Sequence, residues 1–191
     1  AIYNPSLITN ASEKFGKQCI VIAIDAKKTN NKNLKSGYEV FSDGGTKETN
    51  LDVLEWAKKC VILGAGEILL TSMDNDGTKK GFNINLTKKI TSEISTPVIA
   101  SGGVGELAHF TKGAIEANAS GLLAASVFHY GKFTIEQVKK NFYKKGYQLG
   151  FNMKKNNTIL AEVISYLEKT IEARSTSSET TYTSSLLKKS M

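Results

Sequence analysis

Three short apolar runs, each followed by polar or glycine residues, constrain the fold of this chain more than any other feature. They occupy residues 20–25, 67–73 and 98–100, and they lead into an aspartate, a loop with two carboxylates, and a Ser-Gly-Gly sequence. Short apolar runs rich in β-branched residues are typical of buried parallel strands. Parallel α/β proteins build their active sites where such strands end. The pattern therefore predicts an α/β protein with a site at the carboxyl ends of its strands.

Segments with helical spacing alternate with the strands, so the order of elements can be predicted. Connections of this length force right-handed parallel crossovers, and four βα units are half of an eight-stranded barrel. The segment 27–49 is polar and rich in Gly and Asn, and it predicts a long loop with a possible small hairpin at 38–41. The predicted helices are 4–15, 51–63, 84–94, 106–117 and 134–143, and the predicted strands are 19–26, 67–73, 98–100 and 120–128.

The composition changes after Asn152, which predicts a domain boundary between 1–152 and 153–191. Residues 159–173 have the apolar spacing of an amphipathic helix. Residues 175–185 are rich in Ser and Thr and offer no core, so they predict disorder or a linker. The second segment is therefore expected to be a helix followed by a disordered tail.

Composition excludes several classes of protein. The 191 residues carry a net charge of +7 that is spread along the chain, which suits steering of an anionic, phosphorylated substrate. Nucleic-acid binding is disfavoured because no basic run interleaves with aromatic residues. No apolar run reaches the ~20 residues of a membrane span, and the N-terminus is no signal peptide. Cys19 and Cys60 give no disulfide framework, so a cytoplasmic location is expected.

Three aspartates are candidates for chemistry. Asp25 closes an apolar strand, where a carboxylate suits general acid/base work, although a cap or an ion pair with Lys27 or Lys28 is an equally good interpretation. Asp74 and Asp76 lie in an Asp-Asn-Asp-Gly sequence that makes a good turn by itself. The functional alternative is a second carboxylate opposite Asp25, with nearby hydroxyl groups from the preceding strand.

Two later strands end in sequences that suit an anion. Residues 101–105, Ser-Gly-Gly-Val-Gly, expose backbone N–H groups before a helix, a geometry that cradles phosphate. Residues 124–126, Ala-Ala-Ser, are small enough for the backbone to approach a ligand, and barrels often hold phosphate after their last two strands. The histidines, His109 and His129, and the cysteines lack metal-ligand spacing, so no metal and no cofactor are expected.

Residues 23–27, 64–78, 99–103 and 124–128 together resemble the cyclase subunit of imidazole glycerol phosphate synthase, and the likeness covers about residues 1–152. The resemblance implies a (β/α)₈ TIM barrel of histidine biosynthesis, of which this chain is the C-terminal half. It implies a lyase that adds ammonia to a bisphosphorylated ribotide and forms imidazole glycerol phosphate and aminoimidazole carboxamide ribotide. The ammonia comes from a partner glutamine amidotransferase subunit.

The resemblance also implies roles for the matching residues. Two aspartates are catalytic, one strand-start glutamate belongs to the ammonia gate, and the remaining residues bind substrate or its phosphate. In that order they are Asp25 and Asp76; Glu67; and Thr71, Ser72, Gly77, Gly102, Gly103, Ala125 and Ser126. The family's other catalytic aspartate ends a first strand that the chain does not contain. A fragment that is inactive without the N-terminal half-barrel is therefore expected.

Residues 159–174 and 182–187 resemble the opening of phosphoribosyl-ATP pyrophosphohydrolase, another enzyme of the same pathway. The likeness implies a fusion or read-through of neighbouring genes, without pyrophosphohydrolase activity in this chain. Two alternatives to the cyclase stay open: a non-catalytic phosphate-binding half-barrel, and the sister barrel isomerase of the pathway. The sequence Ala-Ile-Asp-Ala-Lys at residues 23–27 favours the cyclase.

Overall fold

A computed structural model describes residues 1–147. The predicted boundary after Asn152, the amphipathic helix and the Ser/Thr-rich segment lie outside the described residues. Helices and strands alternate, interrupted by one β-hairpin and by a short 3₁₀ helix before the first strand. The elements are α1 Ser6–Phe15, β1 Val21–Lys28, β2 Tyr38–Ser42, β3 Lys47–Asp52, α2 Val53–Leu63, β4 Glu67–Ser72, α3 Ile84–Thr91, β5 Val98–Ser101, α4 Leu107–Ile115, β6 Gly121–Leu123, α5 Ser126–His129 and α6 Ile135–Lys144.

Local signals explain where the main helices begin. The Asp52 carboxylate accepts hydrogen bonds from the N–H groups of Leu54 and Glu55, which caps α2. In the same way, Asn83 accepts a hydrogen bond from the Leu86 N–H at the start of α3. The helices predicted from the sequence are confirmed, and their observed ends differ from the predicted ends by a few residues.

The strands form one mixed sheet in the order β3-β2-β1-β4-β5-β6. β1, β4, β5 and β6 are parallel neighbours, and the connections between them carry helices. The segment predicted as a long loop contains the hairpin β2–β3, and β2 pairs antiparallel with residues 25–28 of β1. The α/β class and the parallel pairing of successive strands, both predicted from the sequence, are confirmed.

Helices cover one face of the parallel strands, and the other face is largely open. Alternate residues Ile24, Ile68, Leu70, Val98 and Ala100 are at most 1% exposed, and they belong to or flank the core that also contains Trp56, Ala57, Cys60, Leu86 and Ile90. Their neighbours point the other way, and among them Val21 is 48% and Leu123 42% exposed. We call this second side the concave face. Doubly wound sheets have helices on both faces, whereas barrel strands have them on one. The described residues therefore form a partial TIM-barrel-type fold.

The last predicted strand is shorter than the sequence indicated. Residues 120–128 form one apolar run, but only Gly121–Leu123 pair with β5. Ser126–His129 turn into a helix, with the Phe128 and His129 N–H groups bonded to the Ala125 carbonyl. The prediction of a strand through Phe128 is therefore wrong, because a short apolar run does not distinguish a strand from a buried helix.

Candidate functional site

The loops that follow β4, β5 and β6 line one cavity at the carboxyl edge of the sheet. Its volume of about 170 Å³ suits a phosphate group better than a whole drug-sized ligand, for which pockets of roughly 300–1,000 Å³ are usual. The lining residues are Asp76, Gly77, Lys79, Ser101, Gly102, Gly103, Val104, Leu123, Ala124, Ala125 and Ser126. We call it the phosphate pocket, after the ligand that the sequence predicts for these loops.

The wall contributed by the loop after β5 offers free hydrogen-bond donors. Gly102, Gly103 and Val104 are buried, and within residues 1–147 their backbone N–H groups donate no hydrogen bond. These three residues line the cavity, so their N–H groups are available to a ligand that enters it. An anion in the pocket would supply the missing acceptors.

Two glycines make this wall possible. Gly102 has a φ of 93° and Gly103 a φ of 96°, values that L side chains rarely adopt. A Cβ atom on Gly102 would also lie 2.8 Å from the Ser72 carbonyl oxygen, and one on Gly103 would overlap the Gly81 carbonyl oxygen. The loops after β4 and β5 therefore approach each other closely enough for backbone to contact backbone.

A hydrogen-bond network holds these two loops together. The Gly81 N–H donates to the Gly103 carbonyl at 2.6 Å, and Asn75 Nδ2 donates to the Gly81 carbonyl at 2.8 Å. On the far side, His109 Nδ1 accepts hydrogen bonds from the N–H groups of Gly105 and Glu106. The pocket wall is thus fixed from both sides before any ligand binds.

The loop between α5 and α6 joins this network through a lysine. Lys132 Nζ donates to the Gly105 carbonyl at 2.7 Å. Sequence reasoning missed Asn75, Lys79 and Lys132, and it considered His109 only as a metal ligand, which its spacing disfavours. The turn sequence around Asn75 was the one available signal, since Asn side chains often bond to nearby backbone.

Asp25 lies on the concave face, one strand away from Thr71. The strand register pairs Asp25 with Thr71, and Thr71 with Ser101, which borders the phosphate pocket. Neighbouring strands are about 4.8 Å apart, so Asp25 is about 10 Å across the sheet from Ser101. The carboxylate is half-buried, and within residues 1–147 it makes no hydrogen bond or ion pair. The interpretation as an ion pair with Lys27 or Lys28 is therefore wrong.

The predicted phosphate-binding residues and Asp76 lie together. The lining of the phosphate pocket includes Asp76, Gly77, Gly102, Gly103, Ala125 and Ser126. Asp76 and Asp25 do not share a cavity. Asp25 lines a second cavity of about 270 Å³ beside the hairpin, with residues that include Phe41 and Trp56.

Asp74 and Ser72 have internal partners. Asp74 Oδ2 accepts a hydrogen bond from the Lys28 N–H at 2.7 Å, which ties the loop after β4 to the end of β1. Ser72 is 2% exposed and faces the helices, and its hydroxyl contacts Asn75 Oδ1 and Asn83 Nδ2, both at 3.2 Å. The expectation that Ser72 lies beside the substrate is corrected, because adjacent strand residues point to opposite faces.

Glu67 is the first residue of β4 and pairs in register with Val21. It lies four residues before Thr71 along the strand, about 13 Å from the carboxyl edge. It is half-buried and on the concave face. The structure therefore places it at the end of the sheet opposite to the phosphate pocket.

Within residues 1–147, no group of three or more His, Cys, Asp or Glu side chains is arranged to hold a metal ion. None of the helices described there is long and apolar enough to cross a membrane.

The fold and the pocket define a class: an α/β protein of the barrel type with a glycine-rich cavity at the carboxyl edge of its parallel strands. The particular family follows from comparison with known proteins. Residues 1–134 match the family model described as "Histidine biosynthesis protein". This match covers well over half of the 191 residues, and the chain belongs to that family of histidine-biosynthesis enzymes.

Proposed function

We propose that the chain supplies one wall of the cyclase active site of histidine biosynthesis. In this proposal Asp25 is a general acid/base, and Asp76 and Thr71 assist at the mouth. The pocket residues Gly77, Gly102, Gly103, Ala125 and Ser126 bind one phosphate of the ribotide. The observation that carries the proposal is the unpaired Asp25 carboxylate, which shares the concave face with Thr71 and Ser101.

The free donors of the pocket support a phosphorylated substrate. Three buried N–H groups without partners, at Gly102, Gly103 and Val104, can each donate to a phosphate oxygen. The chemistry on Asp25 would then occur about 10 Å away from the bound phosphate, with the substrate lying across β4.

The open parts of the sheet support completion by a second half-barrel. Among the described strands, the lower part of β1, residues 21–24, pairs only with β4, since β2 begins its pairing at Asp25. β6 has β5 as its single neighbour in this sheet. Both edges could pair with further parallel strands, which would also cover Val21, Leu69 and Leu123 on the concave face.

The position of Glu67 supports an ammonia entrance at the other end of the sheet. A half-buried carboxylate at the start of β4 suits a charged gate that ammonia passes on its way to Thr71 and Asp25. The partner in this proposal is the glutamine amidotransferase subunit, docked at the amino-terminal edge of the strands.

The test supplies the other half of the barrel. The 191-residue chain is combined with an N-terminal half-barrel of the family, and formation of the imidazole product is measured with ammonium salt. Asp25→Asn should lower turnover by about 10²–10⁴-fold, the usual contribution of one general acid/base. The control is Asp74→Asn, which keeps an oxygen acceptor for the Lys28 N–H and should retain most activity.

Three results would change the proposal. Unchanged turnover in Asp25→Asn would refute its catalytic role. Formation of an isomer without ammonia would identify the sister isomerase, whose residues at this edge are similar. No turnover by the unmodified chain, together with retained binding of a phosphate ester, would favour the phosphate-binding half-barrel.

A further inference from the structure

One basic side chain borders the phosphate pocket and has no role in the proposal above. Among the described residues that line this pocket, Lys79 is the one cation and Asp76 the one carboxylate. A phosphate dianion held by the N–H groups of Gly102 and Gly103 would share this small pocket with the Asp76 side chain. Like charges in one pocket repel each other, so a positive charge there favours binding of a dianion.

The backbone of Lys79 is held in place by the loop after β5. Lys79 has a φ of 60°, which is uncommon for a residue other than glycine. Gly105 packs so tightly against it that a Cβ on Gly105 would lie 2.9 Å from the Lys79 Cα. The Thr78 hydroxyl also donates to the Asn75 carbonyl and accepts from the Lys80 N–H. The base of the Lys79 side chain is therefore fixed at the pocket border.

The ammonium group itself is uncommitted. Within residues 1–147, Lys79 makes no hydrogen bond, ion pair or cation–π contact. By contrast, Lys132 is engaged, since its Nζ bonds to the Gly105 carbonyl. Lys79 can therefore reach a ligand without breaking an existing interaction.

We propose that Lys79 is a phosphate-binding residue that offsets the Asp76 charge and lets the pocket take a phosphate dianion. The inference rests on the proposed function only in that the pocket holds a phosphate group. The chemical class of ligand is a phosphate monoester, with two negative charges near neutral pH. Lys79 donates from one side of the ester, and the N–H groups of residues 102–104 donate from another.

The experiment measures binding of methyl phosphate to the 191-residue chain by calorimetry, at low and at high salt. Lys79→Gln should weaken binding about fivefold at low salt, the effect of one exposed charge pair. Lys79→Arg should keep most of the affinity. The matched control is Lys80→Gln, which removes the same charge one residue away, outside the pocket lining, and should change affinity less than twofold.

The salt dependence separates a direct charge contact from a structural effect. Salt should weaken binding to the unmodified chain more than to Lys79→Gln, because screening acts on the charge pair that the variant lacks. Equal affinities of the unmodified chain and Lys79→Gln would overturn the inference. If Ser126→Asp still abolished binding in that case, the phosphate pocket itself would stand. No binding of methyl phosphate to the unmodified chain would overturn both the pocket and the role of Lys79.

Discussion

Gly103 offers a direct test of how closely the two pocket loops approach each other. Its φ is 96°, and a Cβ atom there would overlap the Gly81 carbonyl oxygen and lie 3.0 Å from the Asn75 Cβ. The substitution Gly103→Ala therefore adds two costs, one for backbone conformation and one for steric overlap. Both costs should lower the free energy of unfolding.

The size of each cost can be estimated separately. The left-handed conformation costs an alanine about 1–2 kcal/mol, and about 0.4–1 kcal/mol is recovered because the unfolded chain becomes less flexible. Overpacking a buried site costs about 1–3 kcal/mol more. We expect Gly103→Ala to lower the free energy of unfolding by about 3 kcal/mol. For a chain of this length the melting temperature should then fall by about 6–12 °C.

Gly131→Ala is the matched control. Gly131 also has a positive φ, 66°, but nothing lies within 4 Å of the position its Cβ would occupy. It should show only the conformational cost, about 1 kcal/mol or roughly 2–4 °C. Thermal unfolding followed by circular dichroism measures both variants. Equal shifts for Gly103→Ala and Gly131→Ala would refute the close contact between the loops, and with it the rigid wall of the pocket.

Two other predictions concern the network and the core. Asn75→Ala removes the amide that donates to the Gly81 carbonyl, so we expect the free energy of unfolding to fall by about 1–3 kcal/mol. Unfolding in urea measures this change, and an unchanged midpoint would contradict the network. Burial raises the pKa of the Cys60 thiol to about 11, whereas Cys19 is exposed. At pH 8 a thiol reagent should therefore modify only Cys19 in the folded chain and both cysteines in urea, and fast reaction of Cys60 would contradict its burial.

The parts of the fold set by local signals could be predicted from the sequence. Strand β4 lies between Gly64, which ends α2 in a left-handed conformation, and a turn sequence, and its prediction is correct to within one residue. The bounds of the hairpin could not be predicted from the sequence. Strand β2 is stabilised by pairing with β1, and paired residues such as Asp25 and Phe41 are far apart in the sequence. The prediction of one strand over residues 120–128 failed for a similar reason, because pairing with the single neighbour β5 sets where β6 ends.

The candidate site shows the same division between local and distant information. The Gly-Gly sequence after β5 predicts N–H donors, and within residues 1–147 the N–H groups of these glycines have no hydrogen-bond partner. Ser72 was misplaced, although strict alternation along β4 predicts that it faces away from Thr71. The place of Lys79 at the pocket could not be predicted from the sequence, because it depends on packing against Gly105, which only the folded chain brings near.

Alternate residues of the same strands carry stability and chemistry, and this separation explains how one sheet can serve as half of a site. Along β4, Ile68 and Leu70 are buried under the helices, whereas Glu67 and Thr71 lie on the concave face at opposite ends. The buried face supplies a core without any contribution from the concave face. The concave face is consequently free to carry unpaired groups such as the Asp25 carboxylate, which in the proposed function acts once a second half-barrel covers it. That face also exposes Val21 and other apolar residues, so a second half-barrel that covers it would bury apolar area. In the proposed function, the same contact would therefore drive assembly of the barrel and complete its active site.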